Sequence, residues 1–136
     1  MKLDVLVPAA PLRAVTGRAL HLLEPISFWG GVSPTDGVLT DPRCAHHGES
    51  IAGRVLLIRE LRGSSSGSSV LLELVYRQCA PSAILLSEPD AILALGALVA
   101  REMQWAAPGI FRLSVERQQT IRAGLELSIG PDGEMT

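Results

Sequence analysis

Two uninterrupted apolar runs, Val55-Leu56-Leu57-Ile58 and Ala83-Ile84-Leu85-Leu86, stand out along a chain otherwise cut by turn residues. Four apolar residues without polar alternation mark a strand buried on both faces. Residues 70–78 place Leu71, Leu74 and Val75 at helical spacing. They predict a helix that starts within the preceding Ser/Gly run, where serine is a favoured cap. Pro89-Asp90 opens a second helix over about residues 91–103, with Asp90 as its cap. Its apolar positions (Ala91, Ile92, Leu93, Ala94, Leu95, Ala97, Leu98, Val99) run all round it, which predicts burial on most sides.

The weaker patterns fill in the rest. Residues 14–23, interrupted by Gly17, fit one or two strands, and 38–40 fit a short one. Residues 110–115 and 125–129 are further strands. Residues 25–34 read as a loop around Trp29-Gly30-Gly31, and Gly130-Pro131-Asp132-Gly133 as a turn before a frayed end. The order is strands first, then strand–helix–strand–helix–strand. That predicts an α/β domain, either mixed or three-layer β/β/α, with parallel crossovers in its second half.

Composition narrows the function classes. A length of 136 residues fits one domain. With 47% hydrophobic and 19% charged residues, disorder is excluded as the main state. A net charge of −2 gives no electrostatic footprint for nucleic acid or an anionic membrane. Aromatics are only 4%, so the core must be aliphatic, and the apolar excess predicts a face left for a partner. Two cysteines without a CxxC spacing make neither a four-ligand zinc site nor a disulfide framework. The start of the chain lacks a signal-peptide pattern. The most apolar window, 91–100, is about half of a bilayer span. A cytoplasmic, reduced protein is expected.

The chemistry concentrates in Arg62-Gly63-Ser64-Ser65-Ser66-Gly67-Ser68-Ser69. By composition this is a flexible linker. By position it joins a buried strand to an amphipathic helix, with no room for a second domain on either side. A strand–(Gly/Ser)–helix junction is a natural anion site: glycines let N–H groups turn inward, and the helix N-terminus adds partial positive charge. No Gly-Lys-Ser/Thr closes it and no GxGxxG is present. A carboxylate or phosphate of a small metabolite fits.

Gly63-Ser64-Ser65 running into Val70-Leu71-Leu72-Glu73 resembles the Gly-Ser-Ser-Arg-Glu junction in the swivelling domain of aconitase and isopropylmalate isomerase. Ser27-Phe28-Trp29-Gly30-Gly31-Val32, Asp36-Gly37, Asp41-Pro42, residues 47–53, Arg62 to Ser66 and Ala80 to Ile84 look, in that order, like the small subunit of the aconitase X family. The resemblance covers about residues 14–129 within a single domain of 1–136. It implies a β/β/α swivelling domain that pairs with a large aconitase-like subunit. No cofactor or metal is expected on this chain, and an iron or iron–sulfur centre is expected on the large one. It implies a hydro-lyase that removes water next to a carboxylate, from cis-3-hydroxy-L-proline or, alternatively, from (R)-5-phosphomevalonate. Eleven arginines against the single Lys2 point to a high-GC genome and lean towards hydroxyproline.

In that family Ser64 matches the proton-acceptor serine. Arg62 either holds the substrate carboxylate or supports the Ser64 alkoxide, Gly63 shapes the junction, and Ser65 and Ser66 donate to substrate. Arg43, Arg54, Arg59 and Arg62 are all available for a cationic subsite, so counting does not choose between the two acids. His47-Gly48 matches a loop near the family's active site and makes His47 a substrate-side contact. Cys44-Ala45 stands where members often show His-Pro, which argues against a catalytic duty at position 44. Adjacent His46 and His47 cannot easily face one ion. Trp29 with Gly30 and Gly31 is either core or a close backbone approach to substrate or partner. Asp36 and Asp41 read as turn formers. Two readings from other classes stand beside the enzyme: a regulatory anion-binding module, and a structural homo-oligomer that leaves residues 62–69 exposed.

Overall fold

The computed structural model describes residues 1–136. Four parallel strands form its centre: β2 (Val15–Leu22), β3 (Val55–Ile58), β4 (Ala83–Leu86) and β5 (Gly109–Arg112). β1 (Asp4–Val7) runs antiparallel to β5 at one edge, and β6 (Glu126–Ile129) runs antiparallel to β2 at the other. The expected parallel crossovers are present: β3 and β4 are joined by α2 (Gly67–Tyr76), and β4 and β5 by α3 (Ala91–Glu102). Two short helical turns, α1 (Phe28–Gly31) and α4 (Val115–Gln118), complete the chain.

Alternate residues of the central strands enter two separate cores. Leu56, Ile58, Ile84, Leu86 and Ile110 pack under α2 and α3 with Leu71, Leu74, Leu93 and Ala97. Val55, Leu57, Ala83, Leu85 and Phe111 face the other way and meet Leu3, Val15, Leu127, Ile129 and Met135. This double burial is why the strands read as continuous apolar runs. The first half of β2 pairs β6 and the second half pairs β3, so the sheet curls at this strand. Gly17 lies at the bend, where a Cβ would collide with the Gly53 carbonyl oxygen.

The two ends of the chain close the curl. Met135 bridges Ile129, and Glu134 bridges Lys2. The Met135 N–H donates to the Met1 carbonyl at 2.8 Å and the Leu3 N–H to the Gly133 carbonyl at 2.9 Å. The strand ladder therefore runs without a free edge from β1 through β6 and back to Lys2, which satisfies backbone groups that an open sheet would expose. The tail expected to fray is instead ordered: Met135 is only 5% exposed and fills the inner core.

Other expectations shift as well. Strand β5 stops at Arg112 rather than Val115, because the Ser114 hydroxyl caps α4 by accepting the Arg117 N–H at 3.3 Å. Residues 38–40 make only single bridges, Val38 to Ser50 and Leu39 to Val32. β1 has no clear signal in its own pattern, since only Val7 of its four residues is buried. The Asp90 cap holds: its carboxylate accepts the Leu93 N–H at 2.9 Å. The expectation that α3 is buried on most sides fails. Leu93, Gly96, Ala97 and Ala100 are buried, whereas Leu95, Leu98, Val99 and Met103 form an exposed apolar strip. Only one side of the helix meets the sheet, and Gly96 lets α2 approach closely enough that a Cβ there would lie 2.9 Å from the Ser68 carbonyl oxygen.

Gly133 tests the closure. Its φ is +92°, and a Cβ would strike the Leu3 carbonyl oxygen. Gly133→Ala is expected to cost at least about 1–2 kcal/mol, the ordinary penalty of a left-handed non-glycine residue. The urea unfolding midpoint reads this directly, and an unchanged midpoint would show that the terminal segment does not hold the ring.

Candidate functional site

Parallel strands present their C-terminal ends at one edge, and this is where open α/β sheets gather ligands. Here β2 ends at Leu22, β3 at Ile58 and β4 at Leu86. The loops that follow lead to α1, α2 and α3. They bring Ser27, Phe28, Arg62, Gly63, Ser64 and Asp90 around one shallow depression. Ser64 is half-buried at the mouth of α2. Its carbonyl accepts the Gly67 N–H at 2.9 Å, and its Oγ accepts the Ser66 N–H at 3.3 Å.

The serine that shapes the helix start is thus Ser64, two residues ahead of Ser66, whose own hydroxyl caps nothing. The N–H groups of Gly63, Ser64, Ser65, Ser68 and Ser69 have no acceptor within the chain, as expected of donors leading into and along a first helical turn. The glycines do not act as anticipated: positive φ occurs at Gly30 but at neither Gly63 nor Gly67. The free donors come from the turn into α2, not from an inward-folded glycine nest. Ser65 is exposed and its carbonyl is taken by the Ser68 hydroxyl at 3.2 Å, while Ser66 is half-buried like Ser64.

An adjoining cleft of about 440 Å³ opens between Trp29, Gly30, Gly31, Asp41, Arg43 and Arg62. Trp29 is 63% exposed, so it is not core; it interrupts α1 with Gly30 at φ +85°. Gly31 lies against Ile26, where a Cβ would sit 2.8 Å from Cδ1. Asp41 forms the turn expected of it by accepting the Arg43 N–H at 2.9 Å. It does more: its two oxygens also receive Arg43 Nε at 3.1 Å and Nη2 at 3.0 Å. These side-chain bonds, then the backbone one, hold the Asp41 carboxyl below its usual range and raise the Arg43 guanidinium above its own. Sequence reasoning gave Arg43 no role of its own. The i, i+2 spacing of an acid and an arginine across Pro42 is the signal that a chelated turn leaves.

The structure brings Arg62, Gly63 and Ser64 together with Trp29, Gly30 and Gly31 through the shared residues Ser27 and Arg62. His47 is exposed on the loop beyond Cys44 and lines neither hollow. Arg54 lies at the opposite edge, donating to the carbonyls of Arg18 and Ala19. The largest concavity, about 750 Å³ beside Tyr76, Trp105 and Pro108, is also at that far edge and away from Ser64.

The donor chemistry of this chain does not fit an iron or iron–sulfur centre. His46 is tied to Glu49 at 2.6 Å. Burial pushes the thiols of Cys44 and Cys79 up and keeps them protonated, and no three His, Cys, Asp or Glu side chains converge. No helix is long and apolar enough to cross a membrane.

A six-stranded sheet curled over its own inner face, helices on its outer face and a serine-bearing loop-to-helix turn define a swivelling β/β/α domain. Residues 9–136 match the aconitase X swivel domain, and the chain belongs to that family. It is 49% identical over 90 residues to the cis-3-hydroxy-L-proline dehydratase of Pseudomonas aeruginosa, across 66% of this chain and 16% of that protein. It is 42% identical over 77 residues to the phosphomevalonate dehydratase small subunit of Pyrococcus furiosus, across 57% of this chain and 58% of that one. The chain thus spans about one-sixth of the first relative and under two-thirds of the second. The aconitase X crystal structure from Thermococcus kodakaraensis (holo-form) superposes with a TM-score of 0.80 at 27% identity, covering 99% of this chain and 95% of that one.

Asp41 supplies a pH test. Its folded pKa lies below the ordinary 3.8, so the pair's contribution to stability is complete above that value and is lost as pH falls through the lowered one. A carbon-13 NMR titration is expected to place the Asp41 midpoint below 3.8, and Arg43→Ala to move it back up. A midpoint indifferent to Arg43 would break the proposed pairing.

Proposed function

We propose that this chain is the small, swivelling subunit of a heteromeric hydro-lyase that removes water next to a carboxylate, with cis-3-hydroxy-L-proline as substrate. The observation that carries the reading is Ser64, set at the C-terminal strand edge with an N–H aimed at its Oγ and Arg62 lining the same depression. Support for the substrate comes from the 49% identity to a hydroxyproline dehydratase, above the 42% to a phosphomevalonate one.

Taking a proton from the carbon next to a carboxylate demands a base and a way to carry the added negative charge. A neutral serine is too weak a base, so Ser64 acts as an alkoxide. Donation from the Ser66 N–H favours the deprotonated oxygen, and the partial positive charge at the α2 N-terminus does the same. Arg62 holds the substrate carboxylate. Ser65, exposed beside Ser64, and the half-buried Ser66 offer hydroxyls to the substrate, and Gly63 keeps the approach unobstructed, since a Cβ there would meet nothing within 4 Å. His47 acts from the substrate side only once a partner folds its loop inward. Departure of hydroxide requires a Lewis acid, which the large aconitase-like subunit supplies as an iron or iron–sulfur centre.

The lone chain is expected to be inactive. Mixing it with the large partner is expected to give turnover of cis-3-hydroxy-L-proline in preference to (R)-5-phosphomevalonate. Ser64→Ala is expected to lower kcat by about 10²- to 10⁴-fold, the range of a general base, while leaving co-elution of the subunits intact. Undiminished turnover by the Ser64→Ala complex would remove the serine from the mechanism. Preference for the phosphorylated acid would reassign the substrate. Anion binding without turnover by any pair would leave a regulatory module.

A further inference from the structure

We infer that the cleft beside Ser64 is a carboxylate subsite that takes one monoanionic group, gripped by Arg43 together with Arg62; this rests on the hydro-lyase reading above. Four arginines were equal candidates by sequence. Arg54 is spent on carbonyls at the opposite edge. Arg59 borders a different hollow, shared with Glu60, Glu88 and Asp90, where an anion would be repelled. Only Arg43 and Arg62 line the cleft next to Ser64.

Arg43 is oriented before any ligand arrives. Asp41 is buried, fixed by the Arg43 N–H, and holds Nε and Nη2 in a two-point grip. Nη1 has no acceptor within the chain, so an N–H edge remains free for a carboxylate, the planar group that guanidinium matches. Arg62 is anchored by its backbone N–H to the Ile26 carbonyl at 2.8 Å. Its side chain approaches only Glu60, at 3.9 Å.

Charge decides the ligand class. Asp41 offsets Arg43, while Arg62 has only a loose, exposed contact with Glu60 outside the cleft, so the lining holds directed donors with one uncompensated positive charge. A monocarboxylate needs two or three well-aimed N–H bonds, which are here. A phosphate dianion needs a second uncompensated positive charge, which is not. The exposed Trp29 indole supplies an apolar wall for a small ring, and its face suits the ring's ammonium group. The combination fits a cyclic amino acid. Arg43 is then a specificity-determining residue and Asp41 a positioning residue.

The test uses the complex with the large subunit. Arg43→Ala is expected to raise KM at least tenfold with kcat within about threefold. Arg43→Lys is expected to recover only part of the loss, and Asp41→Asn to shift KM in the same direction. Calorimetry with L-proline, which lacks the leaving hydroxyl, reads the subsite without turnover: affinity should fall at least tenfold in Arg43→Ala, and inorganic phosphate should bind more weakly than proline to the wild type. Unchanged KM and proline affinity in a folded Arg43→Ala complex, or phosphate binding tighter than proline, would overturn the assignment. If the complex dehydrates neither acid, the hydro-lyase reading fails while the calorimetry still decides the subsite. Should Arg43→Ala not fold, Arg43→Gln removes the charge at similar volume and is read the same way.

Discussion

Strands β3 and β4 bury both faces, so every backbone group along them must be paired inside the sheet and each face needs its own cover. The helices cover one face. The other is covered only because the sheet bends at β2 and the chain ends complete its circuit. With that circuit closed, the inner core of Leu3, Val55, Leu85, Phe111 and Met135 is buried and the parallel strands keep a fixed register. Their C-terminal ends are then held in one plane, and the loops to α1, α2 and α3 start from fixed points. The position of Ser64 follows from this: a loop eight residues long could wander, but its two anchors, Ile58 and Gly67, cannot.

Legibility in the sequence followed from how locally each element is determined. The double-sided strands announced themselves because burial on both faces removes all polar residues, and Asp90 announced its helix because a cap sits next to what it caps. Strand β1, the ordered tail and the exposure of α3 were not legible. Each depends on a partner far away in the chain: Lys2 with Glu134, or a sheet that meets one side of a helix and no more. The site divides in the same way. Ser64, Arg62, Trp29, Gly30 and Gly31 are found together where the motifs suggested, whereas Arg43 was one arginine among several until the fold sorted them by edge.

In the Ser/Gly run the expected backbone conformation gives way to another. Glycine suggests an inward-folded backbone, yet Gly63 and Gly67 take ordinary conformations. Their role is spatial. A Cβ on Gly67 would lie 3.7 Å from Ile92 and 3.9 Å from Phe28, so this position sets how closely α1, α2 and α3 converge around Ser64. The unpaired N–H donors here come from the opening of a helix, a source that needs no special residue.

The exposed strip on α3 has a consequence for supply. Leu95, Leu98, Val99 and Met103 present a continuous greasy surface on a chain with little net charge to keep copies apart. Left uncovered, that surface lets copies of the chain meet one another, and the cost rises with their concentration. How much of the chain stays dissolved then depends on how much of it is made as well as on its intrinsic stability.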